Sequence, residues 1–145
     1  MRYFIKEIFV LPVLFVIFAS GCVQQDIQPA QQSPEIGILS FTTDKPTYSS
    51  HEEMKISVIV RSSVNIENAT AKVYGIKPYN HAYVNELKIV NLSKGDNEIT
   101  FFAKTPYCTS GCGGVYPGPY NLTAEILVNG ELVANSTTTI NLVKG

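Results

Sequence analysis

The three cysteines of this 145-residue chain are the residues with the most specific chemistry. Cys108 and Cys112 lie four residues apart in a glycine-rich segment, and Cys22 lies far from them near the N-terminus. A thiol can carry a lipid, form a disulfide or bind a soft metal ion. In an exported chain an odd number of cysteines implies one that is used differently from the pair. In an oxidising compartment we therefore predict a Cys108–Cys112 disulfide and a separate role for Cys22.

Residues 1–21 have the composition of a secretory leader. Arg2 and Lys6 form a short basic region, and twelve apolar residues follow, from Ile8 to Ala19. A run of this length fits a signal peptide and is shorter than the roughly 20 residues that cross a bilayer as a helix. Because the basic end stays in the cytoplasm, we expect the rest of the chain on the extracytoplasmic face of the cell membrane.

The residues directly before Cys22 are small: Ala19, Ser20 and Gly21. This ending resembles a lipobox, the site at which prokaryotic lipoproteins, including archaeal ones, are lipidated on cysteine and cleaved. Ala19 stands where bacterial versions usually carry leucine. The resemblance implies a lipid on Cys22 that holds the protein at the membrane. The alternative is an uncleaved N-terminal anchor in which Cys22 is an ordinary thiol.

Residues 22–35 are predicted to form a flexible tether. The sequence VQQDIQPAQQSPE after Cys22 has five glutamines, two prolines and too little apolar surface to fold. Its thirteen residues reach about 45 Å at full extension. Without the leader the chain has nine basic and eleven acidic residues, so we expect no nucleic-acid partner.

Residues 36–145 show the two-residue hydrophobic period that is typical of β-strands. One apolar set, Met54, Ile56, Val58 and Val60, alternates with Lys55, Ser57, Ile59 and Arg61. The pair Asn129-Gly130 is typical of a two-residue hairpin turn. Seven strands are predicted, near residues 36–43, 54–62, 69–76, 84–92, 97–104, 119–128 and 132–143. We therefore predict an all-β fold, an antiparallel seven-stranded Ig-like sandwich.

The segment TDKPTYSSHEEMKI, residues 43–56, supports this fold. It resembles the D-K-P-x-Y-x-x-G-E-x-v-x-i start of many bacterial and archaeal Ig-like, macroglobulin-like and adhesion-type repeats. The resemblance implies a β-sandwich and no particular activity. His51 stands where those repeats usually carry glycine, so a different turn is expected before the second strand.

The loop between two of the predicted strands, residues 105–120, is the most unusual part of the domain. It contains four glycines, three prolines and three tyrosines. Tyrosine offers a large contact area at low entropic cost, so Tyr107, Tyr116 and Tyr120 are candidate contact residues on a loop held by the Cys108–Cys112 link. The alternative is a stapled hairpin connection in which Tyr120 points into the core.

The two loop cysteines also suggest a metal site. Cys108-Thr-Ser-Gly-Cys112-Gly resembles the start of the dinuclear copper loop of cytochrome oxidase subunit II. Such a centre also needs imidazole and thioether ligands. The family's next ligands would fall on Tyr116 and Pro119, and His81 is the remaining histidine to be considered. We therefore expect no metal cofactor.

Four triplets match the N-x-S/T sequon for N-glycosylation. Their asparagines are Asn68, Asn91, Asn121 and Asn135. In an archaeal or eukaryotic host these are candidate surface glycan sites, whereas in most bacteria they are ordinary polar residues of β-strands.

No catalytic set is evident in the sequence. Glu52 and Glu53 are adjacent, so on a strand they point to opposite faces and cannot act as a carboxylate pair. We predict a membrane-anchored extracytoplasmic binding or structural module, without catalysis, that contacts an envelope or cell-surface protein or a glycan. The alternatives are an inhibitor or chaperone-like sandwich that captures an envelope protein, and a copper or redox protein that uses Cys108 and Cys112.

Overall fold

The computed structural model describes residues 34–77, 82–107 and 115–144, and the regular structure in these ranges is β-strand. The strands are β1 (Ile36–Thr43), β2 (Thr47–Tyr48), β3 (Glu53–Ser62), β4 (Ile66–Gly75), β5 (Val84–Leu92), β6 (Gly95–Lys104), β7 (Gly118–Val128) and β8 (Glu131–Leu142). They form two sheets around one core. The predicted all-β class and the sandwich arrangement are confirmed.

Strand β3 shows how the sequence produces these sheets. Met54, Ile56, Val58 and Val60 are buried, while the residues between them are exposed or half-buried. Successive side chains of a strand point to opposite faces, so one face of β3 covers the core and the other meets solvent. Strand β7 has the same alternation. The apolar faces of the two sheets therefore close on each other.

The smaller sheet has the order β1-β3-β6 and the larger one the order β2-β8-β7-β4-β5. All pairs are antiparallel except β2 with β8, which is parallel. The prediction of seven antiparallel strands was therefore incomplete, because the described residues form eight strands and one pair is parallel. The missing strand, β2, has only two residues, and two residues cannot establish an alternating pattern.

The sandwich has two ends, which are formed by different turns and loops. The N-terminal end is formed by Glu35 and the turns at residues 63–65, 93–94 and 129–130. The loop end is formed by residues 49–52, 105–107 and 115–117. The backbone of Glu35 is fixed to the N-terminal end because its carbonyl accepts a 3.0 Å hydrogen bond from the N–H of Ser63. The chain therefore enters the domain at the end opposite the loops.

The larger sheet ends at strand β5, beside strand β6 of the smaller sheet. Lys88 lies on the inward face of β5, and its Nζ donates a 2.6 Å hydrogen bond to the carbonyl of Thr100 on β6. The same ammonium lies 5.4 Å from the centre of the Phe101 ring. An inward-pointing charge on an edge strand is a recognised obstacle to pairing with another chain. This side of the sandwich is thereby protected against strand addition.

A polar network joins β1 to β2 within the segment that resembles the D-K-P-x-Y repeats. The buried Tyr48 donates its hydroxyl hydrogen to Asp44 Oδ1 at 2.7 Å and accepts the backbone N–H of Lys45 at 3.0 Å. Asp44 Oδ1 also accepts the N–H of Lys55 at 2.8 Å. The hydrogen bond from Tyr48 holds the pKa of the Asp44 carboxyl below its usual value. Burial of the Tyr48 ring raises the pKa of its phenol.

Glu52 closes the next turn of the same segment. Its carboxylate forms an ion pair with Lys45 and accepts the backbone N–H of Ser49 at 2.7 Å. His51 has a φ of 59°, in the left-handed region that favours glycine. In the turn before β3, His51 therefore adopts the left-handed conformation that glycine adopts most readily.

Candidate functional site

Two of the three predicted contact tyrosines are exposed at the loop end. The side chains of Tyr107 and Tyr116 are 65% and 61% exposed. The ring of Tyr107 meets the ring of His51 edge to face, with 5.9 Å between centroids and 80° between planes. His51 is held there by the turn before β3. The loop end therefore presents a small aromatic surface.

Tyr120, the third predicted contact residue, has a different position. It is half-buried and packs against the core. Its hydroxyl accepts the backbone N–H of Tyr116 at 2.9 Å and donates to the carbonyl of Tyr116 at 3.0 Å. Both polar backbone groups of Tyr116 are thus tied to the start of β7. Tyr120 fixes the backbone that presents Tyr116.

Thr105 fixes the backbone at the start of the loop, as Tyr120 does at its end. It is buried, and its Oγ1 donates to the carbonyl of Ser49 at 2.7 Å and accepts the N–H of Glu52 at 2.8 Å. The N–H of Thr105 donates to the Glu52 carbonyl at 2.9 Å. These bonds join residues more than 50 positions apart, so the sequence pattern gave no signal for Thr105.

The space between these segments is too small for a ligand. A cavity of about 20 Å³ lies at the loop end, between Pro106, Val115, Tyr116 and the end of β8. A volume of this size holds about one water molecule. Among the described residues of the loop end, this cavity is therefore not a ligand pocket.

A wider open groove of about 560 Å³ runs along the outer face of the larger sheet beside Tyr74 and Tyr120. Lys72 and Lys77 each place their ammonium near the Tyr74 ring, at 4.9 and 4.4 Å from its centre. The Tyr74 hydroxyl donates to Glu125 Oε1 at 2.7 Å, and this bond raises the pKa of the phenol. Tyr74 and Lys77 both line the groove, so its surface is partly aromatic and partly cationic.

Several predicted site residues lie outside the residues that the structure describes. They are Cys22, Cys108, Cys112 and His81, together with the leader and all but the last residues of the tether. The lipid, the disulfide and the tether stay predictions. Within residues 34–77, 82–107 and 115–144, no group of three or more His, Cys, Asp or Glu side chains is placed to hold a metal ion.

The described residues include no helix with the length and apolar character needed to span a membrane.

The four sequon asparagines are all exposed, and all belong to the larger sheet. Asn68 lies at a bulge in β4 with a φ of 56°, Asn91 lies near the end of β5, and Asn121 and Asn135 lie on β7 and β8. The structure thus groups on one sheet four residues that the sequence distributes over 68 positions.

Two sheets around one core, joined through loops whose bases are fixed by hydrogen bonds, define a β-sandwich domain. No protein-family profile matches the sequence, and no curated protein is similar enough to count as a relative. The CARDB domain of a Pyrococcus furiosus protein is similar in structure. Its TM-score is 0.52 at 16% identity, over 77% of this chain and 95% of that domain.

Other solved structures share the sandwich. The C-terminal domain of Wzt matches with a TM-score of 0.57 at 8% identity, over 76% of this chain and 74% of that one. A β-glucosidase from Erythrobacter marinus matches with a TM-score of 0.55 at 16% identity, over 76% of this chain and 16% of the enzyme. This chain therefore corresponds to a small part of that enzyme. At these identities the likeness shows the fold alone.

Proposed function

We propose that this chain is a lipid-anchored extracytoplasmic module that binds an envelope or cell-surface protein or glycan through its loop end, without catalysis. The observation that carries the proposal is the placement of the two ends. The chain enters the domain at Glu35, and the exposed Tyr107 and Tyr116 lie at the opposite end.

The dimensions of the domain set the distance between the loop end and the membrane. Strand β3 runs from the loop end at Glu53 to the N-terminal end at Ser62, and ten residues in a strand span about 33 Å. The tether adds up to about 45 Å. A lipid on Cys22 would therefore leave the loop end far from the membrane surface and accessible to a partner.

The loop end also has the rigidity that a contact surface needs. The backbone of Tyr116 is held by Tyr120, and the start of the loop is held by Thr105. Exposed aromatic rings on a fixed backbone lose little entropy on binding. The carboxylate of Glu52 is already engaged by Lys45 and Ser49, which supports a structural role and not a catalytic one.

Site-specific photocrosslinking of the full chain in its native membranes tests the proposal. A photoreactive residue at Tyr107 or Tyr116 is expected to give several-fold more adducts than one at Val64, which is also exposed, at 42%, in the turn at the N-terminal end. Mass spectrometry of the adducts would identify the partner. Equal yields at the three positions would contradict binding through the loop end.

The anchor needs a separate test. Cys22→Ser is expected to abolish metabolic lipid labelling of the chain, because the thioether can form only at that thiol. A labelled band that persists in the variant would contradict lipidation at Cys22. Cys108→Ser is the matched control and is expected to leave the label unchanged.

A further inference from the structure

The outer face of the larger sheet combines two features that the proposed binding at the loop end does not use. The first is the set of four exposed sequon asparagines, Asn68, Asn91, Asn121 and Asn135. On β7 the residues facing the core have even numbers, from Leu122 to Ile126, so Asn121 faces outward. Asn135 faces outward as well, because it pairs with the outward Glu125 in the adjacent strand.

The amide groups of two of these asparagines are oriented by the sheet. Asn91 Oδ1 accepts the backbone N–H of Asn68 at 3.0 Å, and Asn121 Oδ1 accepts the hydroxyl of Thr139 at 2.9 Å. In both cases the carbonyl oxygen is engaged. Among the described residues, Nδ2 of these two asparagines has no hydrogen-bond partner, and Nδ2 is the atom that accepts a sugar.

The second feature is a row of side chains across the same face that begins and ends with an exposed apolar residue. Ile89, on the edge strand, is 69% exposed, and Leu132, on β8, is 52% exposed. The strand register joins them through Thr70 and Leu127, since Ile89 pairs with Thr70, Thr70 with Leu127, and Leu127 with Leu132. The row thus carries exposed apolar surface at both ends, which an attached group can cover.

Three of the four asparagines, Asn68, Asn91 and Asn135, lie beside this row, whereas Asn121 lies nearer the start of β7. Asn91 follows Ile89 by two residues on the same face of β5. Asn135 and Leu132 pair with Glu125 and Leu127, which are neighbours on the outer face of β7. Thr70, in the middle of the row, is the third residue of the Asn68 sequon. Sugars attached to these asparagines would lie over the apolar side chains.

We infer that the outer face of the larger sheet is a glycan-bearing face, modified at two or more of these four asparagines, Asn135 among them. In the reaction Nδ2 forms a bond to the anomeric carbon of an oligosaccharide carried on a polyprenyl phosphate. The bond from that carbon to the phosphate oxygen breaks, the lipid phosphate leaves with the electron pair, and the amide loses one proton to solvent. The inference rests on the extracytoplasmic location proposed above, because the lipid-linked donor is used on that side of the membrane.

Mass spectrometry of the full chain purified from its native membranes tests the inference. Sugars are expected on at least two of the four sequon asparagines and not on Asn85, which is equally exposed on the same face of β5 but lies outside a sequon. Thr137→Ala is expected to remove one glycan mass, since it destroys the Asn135 sequon and keeps its asparagine. Ser136→Ala, which keeps that sequon, is the matched control and is expected to leave the mass of the glycans unchanged.

Protease treatment of intact cells separates the two ways in which the inference can fail. A chain that is cut from outside but carries sugar on one sequon asparagine or none overturns the glycan face and leaves the proposed location standing. A chain that stays protected after the outer layers of the envelope are opened, with the cytoplasmic membrane intact, and that carries no sugar overturns both. An identical loss of glycan mass in Thr137→Ala and Ser136→Ala would also contradict modification through the Asn135 sequon.

Discussion

Replacement of Tyr48 by phenylalanine isolates the network that joins β1 to β2. The ring is fully buried and stays packed, so the change removes only the hydroxyl. That hydroxyl donates to the Asp44 carboxylate and accepts the N–H of Lys45. A hydrogen bond to a charged group contributes about 1.5–3 kcal/mol. Asp44 is exposed, so water replaces part of the lost bond, and we expect a loss of about 1.5 kcal/mol in the free energy of unfolding.

The same network makes the effect of Tyr48→Phe depend on pH. The pKa of Asp44 in the folded state is lowered, chiefly by the Tyr48 hydrogen bond. A group whose folded pKa is lowered contributes stability above its unfolded pKa, and this contribution is lost as the pH falls through the folded pKa. Without the hydroxyl, the lowering of the Asp44 pKa is smaller. The difference in stability between wild type and Tyr48→Phe is therefore expected to shrink as the pH falls below about 4.

Urea unfolding of the full chain at neutral pH and in the acidic range measures both effects. Tyr74→Phe is the matched control, since its hydroxyl also donates to a carboxylate, that of Glu125, but from a ring that is half-buried. We expect that variant to lose about 0.5 kcal/mol or less. Equal losses in the two variants, or a Tyr48→Phe effect that does not change with pH, would refute the role assigned to the Asp44–Tyr48 bond.

Two further substitutions test the packing of β4 and the base of the loop. Gly75→Ala is expected to destabilise the domain by about 2–3 kcal/mol, because a Cβ there would lie 2.4 Å from the backbone oxygen of Asn121. Gly37→Ala, where a Cβ meets nothing within 4 Å, should be nearly neutral in the same denaturation assay. Tyr120→Phe removes both hydrogen bonds to the Tyr116 backbone, so amide hydrogen exchange at Tyr116 is expected to accelerate; unchanged exchange would contradict its role.

The strands were predictable because burial on one face imposes the two-residue period. Where the period is interrupted, the prediction was less accurate. Strand β4 begins at Ile66, three residues before the predicted start, because a bulge at Asn68 separates the buried Ile66 and Ala69 by three positions. Strand β2 was missed because its partner, the end of β8, lies more than 90 residues away.

The sequence predicted which residue types the candidate site contains, but it did not predict how those residues are arranged. A loop rich in glycine and tyrosine indicates a surface, and Tyr107 and Tyr116 are indeed exposed. The role of Tyr120 depends on a hydroxyl that turns back to the residue four positions earlier. The role of Thr105 depends on the turn before β3. The Thr105 bonds are long-range and those of Tyr120 depend on how one hydroxyl is oriented, so neither has a recognisable sequence signature.

The proposals for the two ends and for the larger sheet together restrict where a partner can bind. The chain enters the domain at the N-terminal end, where the proposed tether would join it, and glycans on the larger sheet would exclude a protein from its outer face. The loop end and the outer face of the smaller sheet remain. On that face Phe102 is 58% exposed, only two residues before β6 ends at the loop end. A partner on Tyr107 and Tyr116 is therefore expected to extend over Phe102, because burying a third aromatic side chain there adds contact area without displacing any sugar.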